Sequence, residues 1–176
     1  AVVIPCYKVS HSLKSVINGI GTEVTSIYCV DDNCPEESWK VAESIANKDS
    51  RIRIIRREHN GGIGAAVITG YKAALEDDAE IIVKIDGDGQ MPTELIPNFI
   101  RPIYENRADF VKGNRFYHLK SLSGMPLVRI IGNSALSFIN KLSCGYWDLF
   151  DPYNGFTAIH AKVLKLIPME KLNKRY

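Results

Sequence analysis

The sequence predicts an α/β fold in which helices cover both faces of a mainly parallel central sheet. Three observations predict it. Strand-like and helix-like runs alternate through the first two thirds of the chain, the pattern of βαβ units. Polar residues collect just past the strand-like runs, at Asp31, Asp32, Asn60, Asp86, Asp88 and Arg115, and parallel sheets bind ligands at the carboxyl ends of their strands. The 176 residues, 45% hydrophobic and 24% charged, suffice for a single compact domain over 1–176 with its own core.

Taken in order, "AVVIP" reads as a short buried strand. "SHSLKSVINGI" reads as a helix, with Leu13, Val16, Ile17 and Ile20 at helical spacing and Ser10 or Ser12 as N-cap candidates. "TSIYCVDD" is a strand that closes on acids. "PEESWKVAESIANK" is a helix with Pro35 near its first turn and Glu36 and Glu37 suiting its dipole. "RIRIIRR" is a short strand. "NGGIGAAVITGYKAALED" is a helix opened by glycines, with Ile63, Val67, Tyr71 and Ala74 along one stripe. "EIIVKID" is the next strand, "TELIPNFIRPIYEN" a Pro-interrupted helix, and "DFVKGNR" another strand. The last third differs. "SGMPLVRIIGNSALSFINKL" reads as a loop and then a helix carrying Val128, Ile131, Ala135, Phe138 and Leu142 on one face. A Gly- and aromatic-rich stretch follows, "CGYWDLFDPYNGFTAIH", and "AKVLKLIPMEKL" closes with a short helix and a tail.

Composition narrows the function. A net charge of +2 is too small to argue for a nucleic-acid partner. Cys6, Cys29, Cys34 and Cys144 lack the close pairs of a zinc site and read as reduced and buried, as in a cytoplasmic protein. No signal peptide and no bilayer-length apolar run is visible. The ends look cut: Ala1 opens directly on a strand, and the chain stops just after "KLNKRY", which reads as truncation at the C-terminus.

The chemistry sits in short motifs. In "KIDGDGQMP", Asp86 and Asp88 lie two apart and face one side of an extended chain. At a strand end they can converge on a hard cation, Mg²⁺ or Mn²⁺, with Gln90 adding a neutral oxygen. The plainer alternative is a turn in which Asp and Gly satisfy backbone geometry. An EF-hand is excluded, because Pro97 stands where the loop needs its bidentate Glu and a strand precedes. Asp31 and Asp32 close the second strand. They can accept from a base N–H or a ribose hydroxyl, and Asp32 or Asn33 can equally cap the next helix. "EHNGGIGAA", with Asn60 and Gly61, exposes N–H groups that favour an anion, without Walker A or Rossmann spacing. Arg115 in "KGNRF" suits a phosphate. Asp148 and Asp151 in "DLFDPYNGF" are candidate acids or turn residues. His11, His59, His118 and His160 are isolated, and Cys6 lacks a group to activate it.

In this order "VIPCYK", "VDDNCPEES", "NGGIGAAVITG", "DGDGQMP", "KGNRF" and "DPYNGF" resemble the family 2 glycosyltransferases of GT-A fold, from Ala1 to about Ile167. The forms D-x-D-x-Q-x-P and D-P-x-x-G-F look most like the branch holding dolichol-phosphate mannose synthase and the polyprenyl-phosphate glycosyltransferases. The resemblance implies a Rossmann-like αβα sandwich and inverting, metal-dependent sugar transfer from a nucleotide-sugar donor to a polyprenyl-phosphate or saccharide acceptor, as in cell-envelope polysaccharide synthesis. It implies Asp88 and Gln90 as ligands of Mg²⁺ or Mn²⁺, with Asp86 beside them toward the nucleotide. It implies Pro5 and Tyr7 around the base, Asp31 and Asp32 on base or ribose, and Asn60 and Gly61 among the donor-binding residues. Arg115 would meet the donor diphosphate or acceptor phosphate, and Arg129 and Ser134 resemble acceptor-phosphate residues. A saccharide acceptor would need a base, for which Asp148 and Asp151 stand in view. The resemblance leaves room for peripheral association with the cytoplasmic membrane surface and for a homodimer. Lys8 and Val9 replace the Asn-Glu common in the family's first motif, and Thr157 stands where an Arg is usual. The rival readings are a non-catalytic nucleotide- or sugar-binding domain and a nucleotidyltransferase. The latter would want a Gly-rich basic loop after the first strand, which "PCYKVSHSL" lacks.

Overall fold

The computed structural model describes residues 1–114, 127–145, 147, 151 and 154–175. The chain divides into two compact units, Ala1–Val111 with Phe156–Tyr176, and Lys112–Gly155.

The first unit begins as expected. Strands β1 (Val2–Cys6), β2 (Ile27–Asp31), β3 (Ile52–Arg56) and β4 (Ile81–Lys84) alternate with helices α1 (Leu13–Asn18), α2 (Trp39–Ala46) and α3 (Ile63–Glu76). Helix α4 (Ile96–Tyr104), β5 (Phe110–Lys112), β6 (Thr157–His160) and α6 (Ala161–Leu164) complete it. The six strands run in the order β3-β2-β1-β4-β6-β5. β3, β2, β1 and β4 pair in parallel, and β6 pairs antiparallel to β4. The sheet is therefore mainly parallel, as the sequence implies. β6 is the element the sequence did not disclose: "TAIH" is four residues at the end of a Gly- and aromatic-rich stretch, with no turn signal between it and α6.

The pleat sorts each strand between two cores. Val2, Ile4, Cys6, Ile27, Cys29, Val83 and Ile85 pack with α1, Ala42 of α2 and Ile96, Phe99 and Ile103 of α4. Val3, Tyr28, Val30 and Ile82 pack with Ala66 and Ala74 of α3 and Leu164 of α6. Both faces are covered, which is why β1 and β2 are apolar at nearly every position. α3 approaches β1 closely at Gly70, where a Cβ would collide with the Val3 side chain. Phe99 stacks on Phe156 with ring centroids 3.9 Å apart, so the Phe of "DPYNGF" is a core residue.

One helix starts later than its sequence pattern. α2 begins at Trp39 rather than near Pro35, and Glu37 has φ 49°. Residues 35–38 are a turn, and the expected contribution of Pro35, Glu36 and Glu37 to the helix start does not arise.

In the second unit, α5 (Leu127–Cys144) is the expected helix. Its expected apolar face is open: Val128 is 84%, Phe138 55% and Leu142 60% exposed, while Ser137 and Lys141 are buried. Phe138 meets Trp147 edge to face at 6.4 Å. Among the described residues no helix is long and apolar enough to cross a membrane.

Candidate nucleotide-sugar site

Strand order reverses between β1 and β4. The chain winds outward from β1 to β3, then crosses back to place β4 on the other side of β1. Connections leave in opposite directions there, opening a crevice beyond the strand ends. A cavity of about 560 Å³ lies at that place, lined by Pro5, Tyr7, Asp32, Asn60, Asp86 and Asp88, with Gly62, Ile63 and Ala66 of α3 on one side.

The pleat explains which residues arrive. Val3, Pro5 and Tyr7 alternate toward the α3 face of the sheet, as do Val30 and Asp32 in β2, and Ile82, Lys84 and Asp86 in β4. Asp31 points the other way, with Cys29. Its Oδ1 accepts from Cys34 N at 3.0 Å and its Oδ2 from Trp39 N at 3.3 Å. The acid that holds the start of α2 is thus Asp31, not Asp32 or Asn33 as the capping alternative had it. Asp31 is 3% exposed and is not a lining residue of the cavity.

Asp32 reaches toward the glycines instead. Register sets Asp31 opposite Arg56, so the next residues, Asp32 and Arg57, are also neighbours and form an ion pair. Asp32 Oδ1 also accepts from Gly61 N at 3.1 Å, and Oδ2 from Gly62 N at 2.7 Å. The N–H groups before α3, read from sequence as an anion site, thus already hold an internal carboxylate. Gly62 has φ +87°, and a Cβ on it would stand 2.8 Å from Arg175 Cα and Lys174 O. The chain at 173–175 therefore lies against this turn, and Ala65 N donates to Lys174 O at 2.9 Å.

Asp86 and Asp88 occupy the loop after β4. Ser12 Oγ donates to Gly87 O at 2.7 Å, tying that loop to the start of α1, where Ser12 makes no cap of its own. Asp86 Oδ1 accepts from Lys84 Nζ at 2.5 Å. Asp88 is exposed, and its Oδ1 accepts from Gln90 N at 2.9 Å. In each acid these contacts engage Oδ1. The Gln90 side chain lines a neighbouring hollow with Ser15 and Glu94. Asp88 and Gln90 on this exposed loop, with Asp86 beside them, offer the carboxylate and amide oxygens that fit a hard divalent cation completing its shell with phosphate oxygens and water. Among the described residues no group of three or more His, Cys, Asp or Glu could hold a metal unaided.

The remaining candidates separate. Asp151 belongs to the second unit and is 2% exposed. Ser134 is exposed on α5. Arg115, Asp148 and the side chain of Arg129 lie outside the described residues. Cys6 borders the cavity as a free thiol, and its hydrogen bond to Cys29 and its burial push it well above its ordinary pKa, which disfavours the nucleophilic thiolate. His160 accepts from Lys162 N and caps α6. Lys84 is the site residue that the motifs missed. Its signal was a lysine inside an apolar strand, two residues before an acid.

A mainly parallel α/β sheet with a crevice at its switch point is the fold of the GT-A glycosyltransferases. The family described as glycosyl transferase family 2 matches residues 1–167, and the chain belongs to it. It is 31% identical, over 99% of its length and 74% of the relative's, to the UDP-N-acetylglucosamine–dolichyl-phosphate N-acetylglucosaminyltransferase of Methanococcus voltae. It is 27% identical, over 98% of its length, to the dolichol-phosphate mannosyltransferase of Pyrococcus furiosus, of which it spans 49%. The mannosyltransferase PcManGT from Pyrobaculum calidifontis, solved with GDP-Man and Mn²⁺, superposes with TM-score 0.62 at 14% identity, over 98% of this chain and 48% of that one.

Proposed function

We propose that this protein transfers a sugar from a nucleoside-diphosphate donor, held in the β1/β4 crevice, to a polyprenyl phosphate, with inversion at the anomeric carbon. The observation that carries the donor half is the cavity at the switch point, lined by Asp32, Asp86 and Asp88. The acceptor half rests on the dolichyl-phosphate relatives.

Pro5 and Tyr7 form the wall against which the base lies. Asp32 reads it. A carboxylate offers about four acceptor positions and no donor, and three positions of Asp32 are already taken. The remaining one can accept a single N–H or O–H from the base or the ribose. Asn60 and Gly61 border the ribose and diphosphate, and Asp86 takes a donor hydroxyl. Asp88 and Gln90 would hold Mg²⁺ or Mn²⁺, which when bound would supply Lewis-acid neutralisation of the leaving diphosphate, with Asp86 beside them toward the nucleotide. Arg115 and Arg129 add positive charge for the phosphates. A lipid phosphate is already anionic and needs no base. A saccharide would need one, and Asp151 is the described candidate.

The test is product analysis. The protein is incubated with Mn²⁺, radiolabelled UDP-N-acetylglucosamine or GDP-mannose, and either dolichyl phosphate or an oligosaccharide. Label extracted into organic solvent with one donor is the expected result. Label in the oligosaccharide would replace the acceptor assignment, and hydrolysis or no turnover would contradict transfer.

A further inference from the structure

Lys84 ends β4 facing α3, and it is 7% exposed. It lines a hollow of about 260 Å³ with Ile68, Tyr71 and Leu172, whose mostly apolar walls offer an ammonium few partners. Its charge is met by Asp86, at 2.5 Å, whose side chain is 25% exposed. The pair is closed toward the core and open toward the donor cavity, which Asp86 lines. The alternation that puts Lys84 on the α3 face puts Asp86 there too, so the contact is built into the strand.

We propose that Lys84 is a built-in counter-ion that reserves Asp86 for the donor and keeps the divalent cation off it. This rests on the donor and metal reading above. A carboxylate already neutralised by an ammonium attracts a second cation weakly, and the ammonium itself repels that cation. Lys84 also fixes Oδ1, so Asp86 presents Oδ2 to the cavity in one orientation. The cation then depends on Asp88, Gln90 and the donor's diphosphate, and it binds with the nucleotide rather than before it. Lys84 is a positioning residue, acting through Asp86.

The test is a Mn²⁺ titration followed by electron paramagnetic resonance, without and with UDP or GDP. The proteins are wild type, Lys84→Met, Lys84→Arg and the double variant Lys84→Met/Asp86→Asn. Met matches the lysine stem and suits the apolar wall, and Lys84→Gln serves if circular dichroism shows Lys84→Met unfolded. Without nucleotide, Lys84→Met is expected to bind Mn²⁺ about tenfold tighter than wild type, the scale of removing one nearby charge at a partly solvated site. Lys84→Arg is expected to restore the wild-type value, and the double variant to abolish the gain. Nucleotide affinity without metal is expected to fall in Lys84→Met. Equal Mn²⁺ affinity in wild type and Lys84→Met overturns the counter-ion role while leaving the donor reading intact. No Mn²⁺ binding by any of the proteins, even with nucleotide, overturns both.

Discussion

Asp31 and Asp32 are adjacent and chemically identical, yet the pleat sends one to α2 and the other to the cavity at the β1/β4 switch point. Sequence established that two acids end a strand. It did not disclose which served which purpose, because that depends on which helix covers which face of the sheet. Asp32 holds Arg57 and two backbone N–H groups from a 3% exposed position. Asp32→Ala strands all three donors, and urea denaturation is expected to show a loss of roughly 3 kcal/mol together with lost nucleotide binding. Tyr28 gives a pH signature. Burial, then its 2.5 Å bond to Asp77, raise its hydroxyl from 10 to about 12. The fold favours the neutral phenol, so this contribution is complete below pH 10 and is lost as pH rises toward 12. In melting curves between those values Tyr28→Phe is expected to lose less stability than wild type.

The elements that the sequence disclosed are those with a bounded apolar run or a helical period: β1 to β5, α1 and α3 to α6. β6 stayed hidden because it closes a Gly- and aromatic-rich stretch with no turn signal after it to set it apart from α6, and because an antiparallel insertion beside β4 is a property of tertiary pairing. The start of α2 was misplaced because Pro and Glu suit a first helical turn equally well in the turn just before it. Two contacts test the packing of these elements. Gly70→Val drives a branched side chain from α3 into Val3 of β1 and is expected to cost about 1–3 kcal/mol by overpacking. Phe156→Ala removes the ring stacked on Phe99 and is expected to cost about 3–5 kcal/mol in the same denaturation assay. The cost places the Phe of "DPYNGF" in the core, a role its motif context hid.

At the scale of the molecule, strand order makes the site. The turn at β1/β4 assembles residues from four separate motifs, Pro5 and Tyr7, Asp32, Asn60, and Asp86 with Asp88, around one cavity. The sequence disclosed these motifs and their place past strand ends. It could not reveal that Lys84 already neutralises Asp86, since a charged residue in a buried strand becomes informative when its partner is seen. The most direct measurement of the central claim is calorimetric titration of UDP, GDP and CMP, with and without Mn²⁺, into wild type and Asp88→Ala. Expected is Mn²⁺-dependent binding of UDP or GDP, with CMP weak because it lacks the diphosphate, and the Mn²⁺ dependence lost in the variant. Equal binding of a nucleotide by Asp88→Ala, or no binding of any nucleotide to folded wild-type protein, would contradict the assignment of the crevice.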